Sequence, residues 1–351
     1  MRLRLETGQN RGPVRCTKPA CVRMVDDRRI GGVVFWLGVD VGKQDFHCAL
    51  LGDDERPKWS SFPNSRTGFE RLAKWLSNRK VECVHACLEA TGGWSEELAL
   101  FLHQRGQVVS IVNPLAVKAF GQSLLSRTKT DKADAELIAR YCSAMNPAPW
   151  IPPSPARRRL QQLVRRRAAL SEMLVQEQNR LQGPGIDAVQ SSLERTSAFL
   201  ERQIAEIDAE IRSFVDDDPD LREQKDLLES IPGIGERTSL TLLGEIPNLS
   251  EFRSGKAVAA FAGLCPRIRR SGTSIASSWL SKIGNQVVRR ALYLPAVVAM
   301  RYNPVLATWA KALRARGKRP KQVIAAVMRR LLVMAYGVVK SRTPFETARY
   351  G

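Results

Sequence analysis

The chain has 351 residues and a formal net charge of +20, from 55 Lys and Arg against 35 Asp and Glu. This length exceeds what one growing core serves, so two or three domains are expected. No uninterrupted apolar run reaches the roughly 18 residues that span a bilayer, and the arginine-bearing start holds no signal-like apolar stretch. Both points speak against a membrane or secreted protein and for a cytoplasmic one, and the seven cysteines, with no CxxC pair, read as idle or buried thiols.

Residues 1–30 form a basic arm, expected to be disordered and without further signal. The block from 31 to 150 carries an α/β pattern. Val33 to Val39 is an apolar run suited to a central strand, Phe46 to Leu51 a second strand ended by the turn-forming Gly52, Asp53 and Asp54, and Lys58 to Phe62 a third. Asn64 or Ser65 caps a helix whose Phe69, Leu72, Ala73 and Leu76 share a face. Strand Val81 to Leu88, helix Trp94 to Arg105 and strand Val108 to Val112 follow. Three early strands, then alternation of strand and helix, predict a mixed sheet.

The stretch KTDKADAELIARY, Lys129 to Tyr141, sets Asp131 and Asp134 three apart ahead of Leu137, Ile138 and Tyr141 at helical spacing. That spacing predicts a helix on which both acids continue the inward-facing stripe. Pro147, Pro149, Pro152, Pro153 and Pro155 then mark a boundary, because proline at this density stops helix and central strand alike. From 151 to 220, Leu160, Leu163, Leu170, Leu174 and Leu181 keep near-heptad spacing. After Gly183-Pro184-Gly185 a second run carries Val189, Leu193, Leu200, Ile204, Ile207, Ile211 and Phe214. A helical hairpin and an interrupted coiled coil both satisfy this pattern, and the narrow apolar stripes between highly charged faces favour pairing between chains.

The last block, 221–345, opens with IPGIG, Ile231 to Gly235, before a helix-forming run. Gly233 and Gly235 there match a helix-hairpin-helix, whose backbone N–H groups approach a phosphate, and they also suit an ordinary turn between packed helices. From Phe252 to Gly351 the chain holds twenty Lys and Arg against one acid, Glu346. An ordinary solvated face has no need to exclude acids, so this +19 region reads as a polynucleotide surface, with Arg267, Arg269, Arg270, Arg289 and Arg290 among its clusters. Ala257 to Leu264 and Trp279 to Ala299 read as mostly helical, around an arginine-rich loop from Arg267 to Ile275 that presents Ser271 beside a glycine.

Asp40 closes the first strand in GVDVGK and Glu89 the fourth in LEATGG, and strand-terminal acids beside glycine turns are where α/β folds build sites. Each acid alone reads as a turn former or a helix-dipole partner. Together, Asp40, Glu89, Asp131 and Asp134 would repel one another unless a cation compensated them. All-oxygen ligation with open positions suits Mg²⁺ or Mn²⁺ beside a substrate phosphate.

These motifs, DVGK, LEATG and TDxxDA, followed by IPGIG, FAGLCPRIRRSGTS and KIGNQVVRRALYLPA, resemble the insertion-sequence one-ten family of bridge-RNA-guided recombinases, which includes Piv-type DNA invertases. The resemblance runs from about Val33 to Pro344. It implies a ribonuclease-H-like, RuvC-like mixed-sheet domain with a DEDD tetrad, a coiled-coil linker and a helical C-terminal transposase domain. It also implies a divalent metal, donor and target DNA and a guide RNA as partners, and a serine nucleophile that maps onto Ser271. That serine would meet the tetrad of another protomer, so a dimer or tetramer is expected. No G-x-x-x-x-G-K-[ST] motif occurs, and none is required where a serine–DNA bond conserves the phosphodiester energy. The residues leave open a site-specific invertase, a metal-only junction nuclease and a non-catalytic nucleic-acid binder; four convergent acids argue against the last.

Overall fold

The computed structural model describes residues 35–52, 56–90, 92–125, 130–271 and 275–350, with the backbone alone between 268 and 278. The basic arm of residues 1–30 lies outside the described residues. The chain divides into two compact units, one ending at Pro152 and the other beginning at Pro153, inside the proline-rich stretch.

The first unit opens with strands β1 (Phe35–Val41), β2 (Asp45–Leu51) and β3 (Lys58–Pro63), paired antiparallel in sequence order. Helix α1 (Arg66–Ser77) starts at Ser65, whose side chain accepts from the Gly68 N–H and satisfies one of the four free amides of the first turn. Strand β4 (Val84–Glu89), helix α2 (Glu96–Gln104), strand β5 (Val108–Val112) and helices α3 (Pro114–Ser123) and α4 (Asp131–Met145) complete it. β4 pairs parallel with β1, and β5 with β4, giving the order β3-β2-β1-β4-β5. The expected mixed sheet is present.

Alternation along the strands gives this sheet two different faces. On one, Leu37, Val39, Phe46, Leu50 and Leu88 are buried with Phe69 and Leu72 of α1 and Leu98, Phe101 and Leu102 of α2. On the other, Ala49, Leu51 and Cys87 lie with Ala135, Ile138, Ala139 and Cys142 of α4. Cys48, Cys87 and Cys142 are buried free thiols, whereas Cys83 is disulfide-bonded, a departure from thiols throughout.

In the second unit, α5 (Pro155–Leu181) and α6 (Asp187–Asp216) run antiparallel as a hairpin, tied by Arg167–Asp208 at 2.7 Å and Arg159–Glu210 at 3.1 Å. Leu160, Val164 and Leu170 of α5 and Leu200, Ile211 and Val215 of α6 are buried. The helical-hairpin alternative is thus seen within this chain, with Leu163, Leu174, Leu181, Leu193, Ile204 and Ile207 of the same stripes half-buried. The loop joining the helices is short, so closing it costs little entropy. Toward the loop Val175, Val189 and Phe199 remain exposed.

Helices α7 (Pro219–Glu229), α8 (Glu236–Glu245) and α9 (Gly255–Phe261), strands β6 (Pro266–Ser271) and β7 (Ile275–Leu280), and helices α10 (Gln286–Ala291), α11 (Tyr293–Tyr302), α12 (Pro304–Ala315), α13 (Pro320–Ser341) and α14 (Thr347–Tyr350) follow. The expected loop from Arg267 to Ile275, and the expected helix from Trp279, are corrected here: residues 266–271 and 275–280 form an antiparallel hairpin, with Arg267 opposite Trp279 and Ser271 opposite Ile275. Its strands satisfy each other's backbone groups, and Ile268, Ile275 and Trp279 are strand-favouring types. α13 is long and apolar enough to cross a membrane by length and composition. Its Val323, Val327, Leu331, Leu332, Ala335 and Val338 instead sit in the centre of this unit's core.

Candidate active site

Asp40 is the penultimate residue of β1 and Glu89 the last of β4. These strands are parallel neighbours paired up to Val39 and Leu88, so the two acids stand one step beyond, at the same end of adjacent strands. Two-residue alternation puts Asp40 on the face of Gly38, and Glu89 on the face of Cys87, which is the face covered by α4.

Gly38 lets α4 come that close. A Cβ built there would fall 2.1 Å from the Ala135 carbonyl oxygen and 2.2 Å from the Ala139 amide nitrogen, so only glycine admits the helix at this distance. α4 is started by Thr130, whose Oγ1 accepts from the Ala133 N–H at 3.2 Å. Its inward stripe is Ala135, Ile138, Ala139 and Cys142. Asp134 is half-buried beside it, and Asp131, one turn ahead of Ala135, reaches His47 of β2 with its side chain 69 % exposed. The expectation that both acids face inward thus holds for Asp134 and is corrected for Asp131, whose carboxylate meets His47 at the sheet surface and stays mostly open to solvent.

The four acids act on one another electrostatically. Burial and the charges of Asp134 and Asp131 push the Asp40 carboxyl above its ordinary range, with His47 the opposing influence. Burial, then Asp40 and Asp134, push Glu89 up as well. Each is thus penalised in its ionised form, and a cation among them would relieve both. The donor set, four carboxylates with no sulfur, fits a hard divalent ion. As the side chains stand, no three His, Cys, Asp or Glu among the described residues form a finished ligand group.

His47 is a member of this site that the sequence reading missed. It pairs with Asp40 across β1 and β2, and its Nε2 lies 3.8 Å from Asp131 Oδ2. The signal was present: once the hairpin turn is placed at Gly42 to Asp45, whose ends share an N–H···O bond of 2.9 Å, the register fixes residue 47 opposite residue 40. Asn64 braces the rim, donating from Nδ2 to the Gly42 carbonyl at 2.9 Å and the Trp94 carbonyl at 3.2 Å.

The second unit carries the remaining candidates. Gly233, between α7 and α8, adopts φ +109, and a Cβ there would fall 2.7 Å from the Ala299 Cβ of α11. Its helix-packing role is therefore explicit. Gly235 begins α8 with open space around it. Ser271 ends β6; side chains of Arg269, Arg270 and Ser271 lie outside the described residues. Arg267 is exposed, its guanidinium 5.9 Å from the Trp279 ring centre. Arg289 turns inward to donate to the Ala262 carbonyl at 3.1 Å, and Arg290 pairs on the surface with Glu172 at 3.4 Å.

Residues 37–184, which include the whole acidic cluster, match the DEDD transposase model of IS110 elements, described as Transposase. Residues 225–310 match the model described as Transposase IS116/IS110/IS902 family. Over 318 residues the chain is 35 % identical to the pilin gene-inverting protein of Moraxella bovis, covering 89 % of this chain and 97 % of that one. The chain belongs to the IS110 family of transposases. This IS110-family member is accordingly a DNA recombinase. It is 24 % identical to the transposase for insertion sequence element IS1328 of Yersinia enterocolitica, over 88 % of this chain and 98 % of that one. The RuvC structure from Thermus thermophilus aligns at 17 % identity and a TM-score of 0.24, covering 34 % of this chain and 99 % of that chain.

Proposed function

We propose that this IS110-family recombinase cuts and rejoins donor and target DNA through a ribonuclease-H-like DEDD centre and a serine nucleophile, guided by a structured bridge RNA. The observation that carries the reading is the placement of Asp40, Glu89, Asp131 and Asp134 at one end of the sheet, where burial and then the neighbouring carboxylates push the Asp40 and Glu89 carboxyls above their ordinary range. These four would hold Mg²⁺ or Mn²⁺, which when bound supplies stabilisation of phosphoryl charge. His47 is placed to orient Asp131.

The chain's own chemistry runs through Ser271. Its Oγ attacks phosphorus, one bond from phosphorus to a deoxyribose oxygen breaks, and the serine proton passes by way of a base to that oxygen, which leaves as a hydroxyl. The free hydroxyl of the exchanged strand then attacks the same phosphorus and releases the serine, so each bond broken is replaced and no nucleotide is consumed. Arg269 and Arg270, next to Ser271 on the same strand, would stabilise charge on the transferred phosphoryl group, and Arg267 would hold a neighbouring phosphate. Gly235, at the open start of α8, and Gly233 would bring backbone N–H groups to a phosphate, while Arg290 adds surface charge. Residues 31–150 are assigned to the RuvC-like domain, 151–220 to a coiled-coil linker and 221–345 to the transposase domain. Ser271 and the tetrad belong to different units, and the reading joins Ser271 to the tetrad of another protomer in a dimer or tetramer.

The test is covalent trapping. A nicked or mismatched substrate treated with wild-type protein and denatured should yield DNA linked to the peptide containing Ser271, and Ser271→Ala should lose both adduct and strand exchange while still binding DNA. Cleavage with free ends and no adduct would leave a metal-only nuclease. A second reading, site-specific inversion without a guide, is favoured by the 35 % identity to the pilin gene-inverting protein. Sequencing RNA that copurifies separates the two: one defined, structured RNA supports guided transposition, and its absence from active protein supports inversion.

A further inference from the structure

The β6–β7 hairpin and the two long C-terminal helices enclose a groove that the proposed chemistry does not use. Its volume is about 400 Å³, and its lining includes Trp279, Leu280, Leu313, Ala326, Gln322 and Lys318. A space of this size falls within the range of small-ligand sites, and it is mainly apolar with a few polar groups at its edge. Trp279 is 43 % exposed, a large aromatic surface left open to solvent at the mouth of that groove. Arg267 lies against the indole, with its guanidinium 5.9 Å from the ring centre.

Three features fix the chemistry of the occupant. A flat aromatic wall takes a flat ring by stacking, and every nucleobase offers such a face. Lys318 and Gln322 at the rim are exposed, and the chain around them, from Phe252 to the end, carries twenty Lys and Arg against one acid. That balance attracts a polyanion and repels an acidic peptide. The third feature is position. Trp279 pairs with Arg267, and Ser271 lies four residues further along β6, about 13 Å away at roughly 3.3 Å per residue. That span corresponds to a few nucleotides of an extended strand.

We infer that this groove takes one unstacked base of a DNA strand, held face to face with Trp279, with the adjoining phosphates on Arg267 and Lys318. It rests on the reading that the second unit handles the DNA being exchanged. In that setting the groove holds a base displaced from its duplex near the cut, an unstacking that costs a few kcal/mol and falls most easily on mismatched or already single-stranded positions. Ala326 forms part of the floor, and its small side chain leaves the room that a base needs.

The experiment uses full-length protein and a single-stranded DNA oligonucleotide carrying one 2-aminopurine, whose fluorescence falls on stacking. Wild-type protein should bind and quench it. Trp279→Ala should weaken binding by about tenfold or more, the effect of one lost aromatic platform, and abolish the quenching; Trp279→Phe should retain most of both. Ala326→Leu, which fills the groove and leaves the tryptophan in place, should also lose the quenching with an unchanged circular dichroism spectrum. Unaltered quenching in both Trp279→Ala and Ala326→Leu overturns the inference. So does equal quenching of a fully paired duplex, which would make Trp279 a surface contact, and so does quenching confined to an RNA oligonucleotide. Ser271→Ala, run in parallel, should quench as wild type does, so failure of the serine mechanism and failure of the base site are read separately.

Discussion

Gly38 of β1 and Ala135 of α4 meet backbone to backbone: a Cβ at position 38 would come within 2.1 Å of the Ala135 carbonyl oxygen. This contact seats the first turn of α4, with Asp134, over the ends of β1 and β4. Gly38→Ala should therefore push the helix away. We expect a stability loss of about 1–3 kcal/mol, the usual range for overpacking, and a loss of DNA cleavage that persists at temperatures where the variant is folded. Calorimetry together with a cleavage assay checks this, and a variant that cleaves like wild type would dissociate the helix seat from the site.

The raised carboxyls of Asp40 and Glu89 give a prediction with a definite sign. A group whose folded value lies above its unfolded one binds more protons when folded, so its ionised form costs stability, and that cost sets in as pH rises from the ordinary value of 3.8 or 4.5 through the raised one. Asp134→Asn removes one of the charges responsible. In the absence of divalent ions it should melt higher than wild type at pH 7, and should lose cleavage. Added Mg²⁺ should raise the melting temperature of wild type more than that of Asp134→Asn; equal shifts would count against the tetrad as the cation site.

His85 provides a pH dependence of the opposite sign. It is fully buried, its Nε2 is 2.8 Å from Ser110 Oγ, and burial depresses its pKa to about 4. Between the ordinary 6.5 and that value the unfolded chain takes up a proton that the folded chain refuses, so stability falls as pH falls through this window. At about 1.4 kcal/mol per pH unit the loss approaches roughly 3 kcal/mol. Denaturant melts from pH 7 to 4 should show it, and His85→Phe should flatten that part of the profile.

Binding of nucleic acid should weaken steeply with salt. Twenty cationic residues against one acid over the last hundred positions neutralise several phosphates at once, and each releases counterions. A plot of log affinity against log salt should have a slope of several units, and Arg267→Ala with Arg290→Ala should reduce it by about one unit each. A flat plot would remove the basic surface as the footprint.

The sequence by itself determined the order of elements in the first unit, because period-two strands, a Ser cap and a proline-dense boundary are local signals. It marked Asp40, Glu89, Asp131 and Asp134 by their places at strand ends and in a first helical turn, and the charge asymmetry of the C-terminal region is a matter of composition alone. What only the tertiary structure decided depends on partners far apart in the chain. His47 becomes part of the site through the β1–β2 register. Asp131 stays largely open to solvent while its carboxylate meets His47 of β2. The stretch around Ser271 becomes a hairpin because residues 266–271 find 275–280, a pairing that arginine-rich strands without clean alternation do not announce. The long leucine stripes of α5 and α6 meet as a hairpin, since the short loop between them makes that contact cost little entropy. Local propensity can be read one residue at a time; register, seat and groove exist only once distant segments have met.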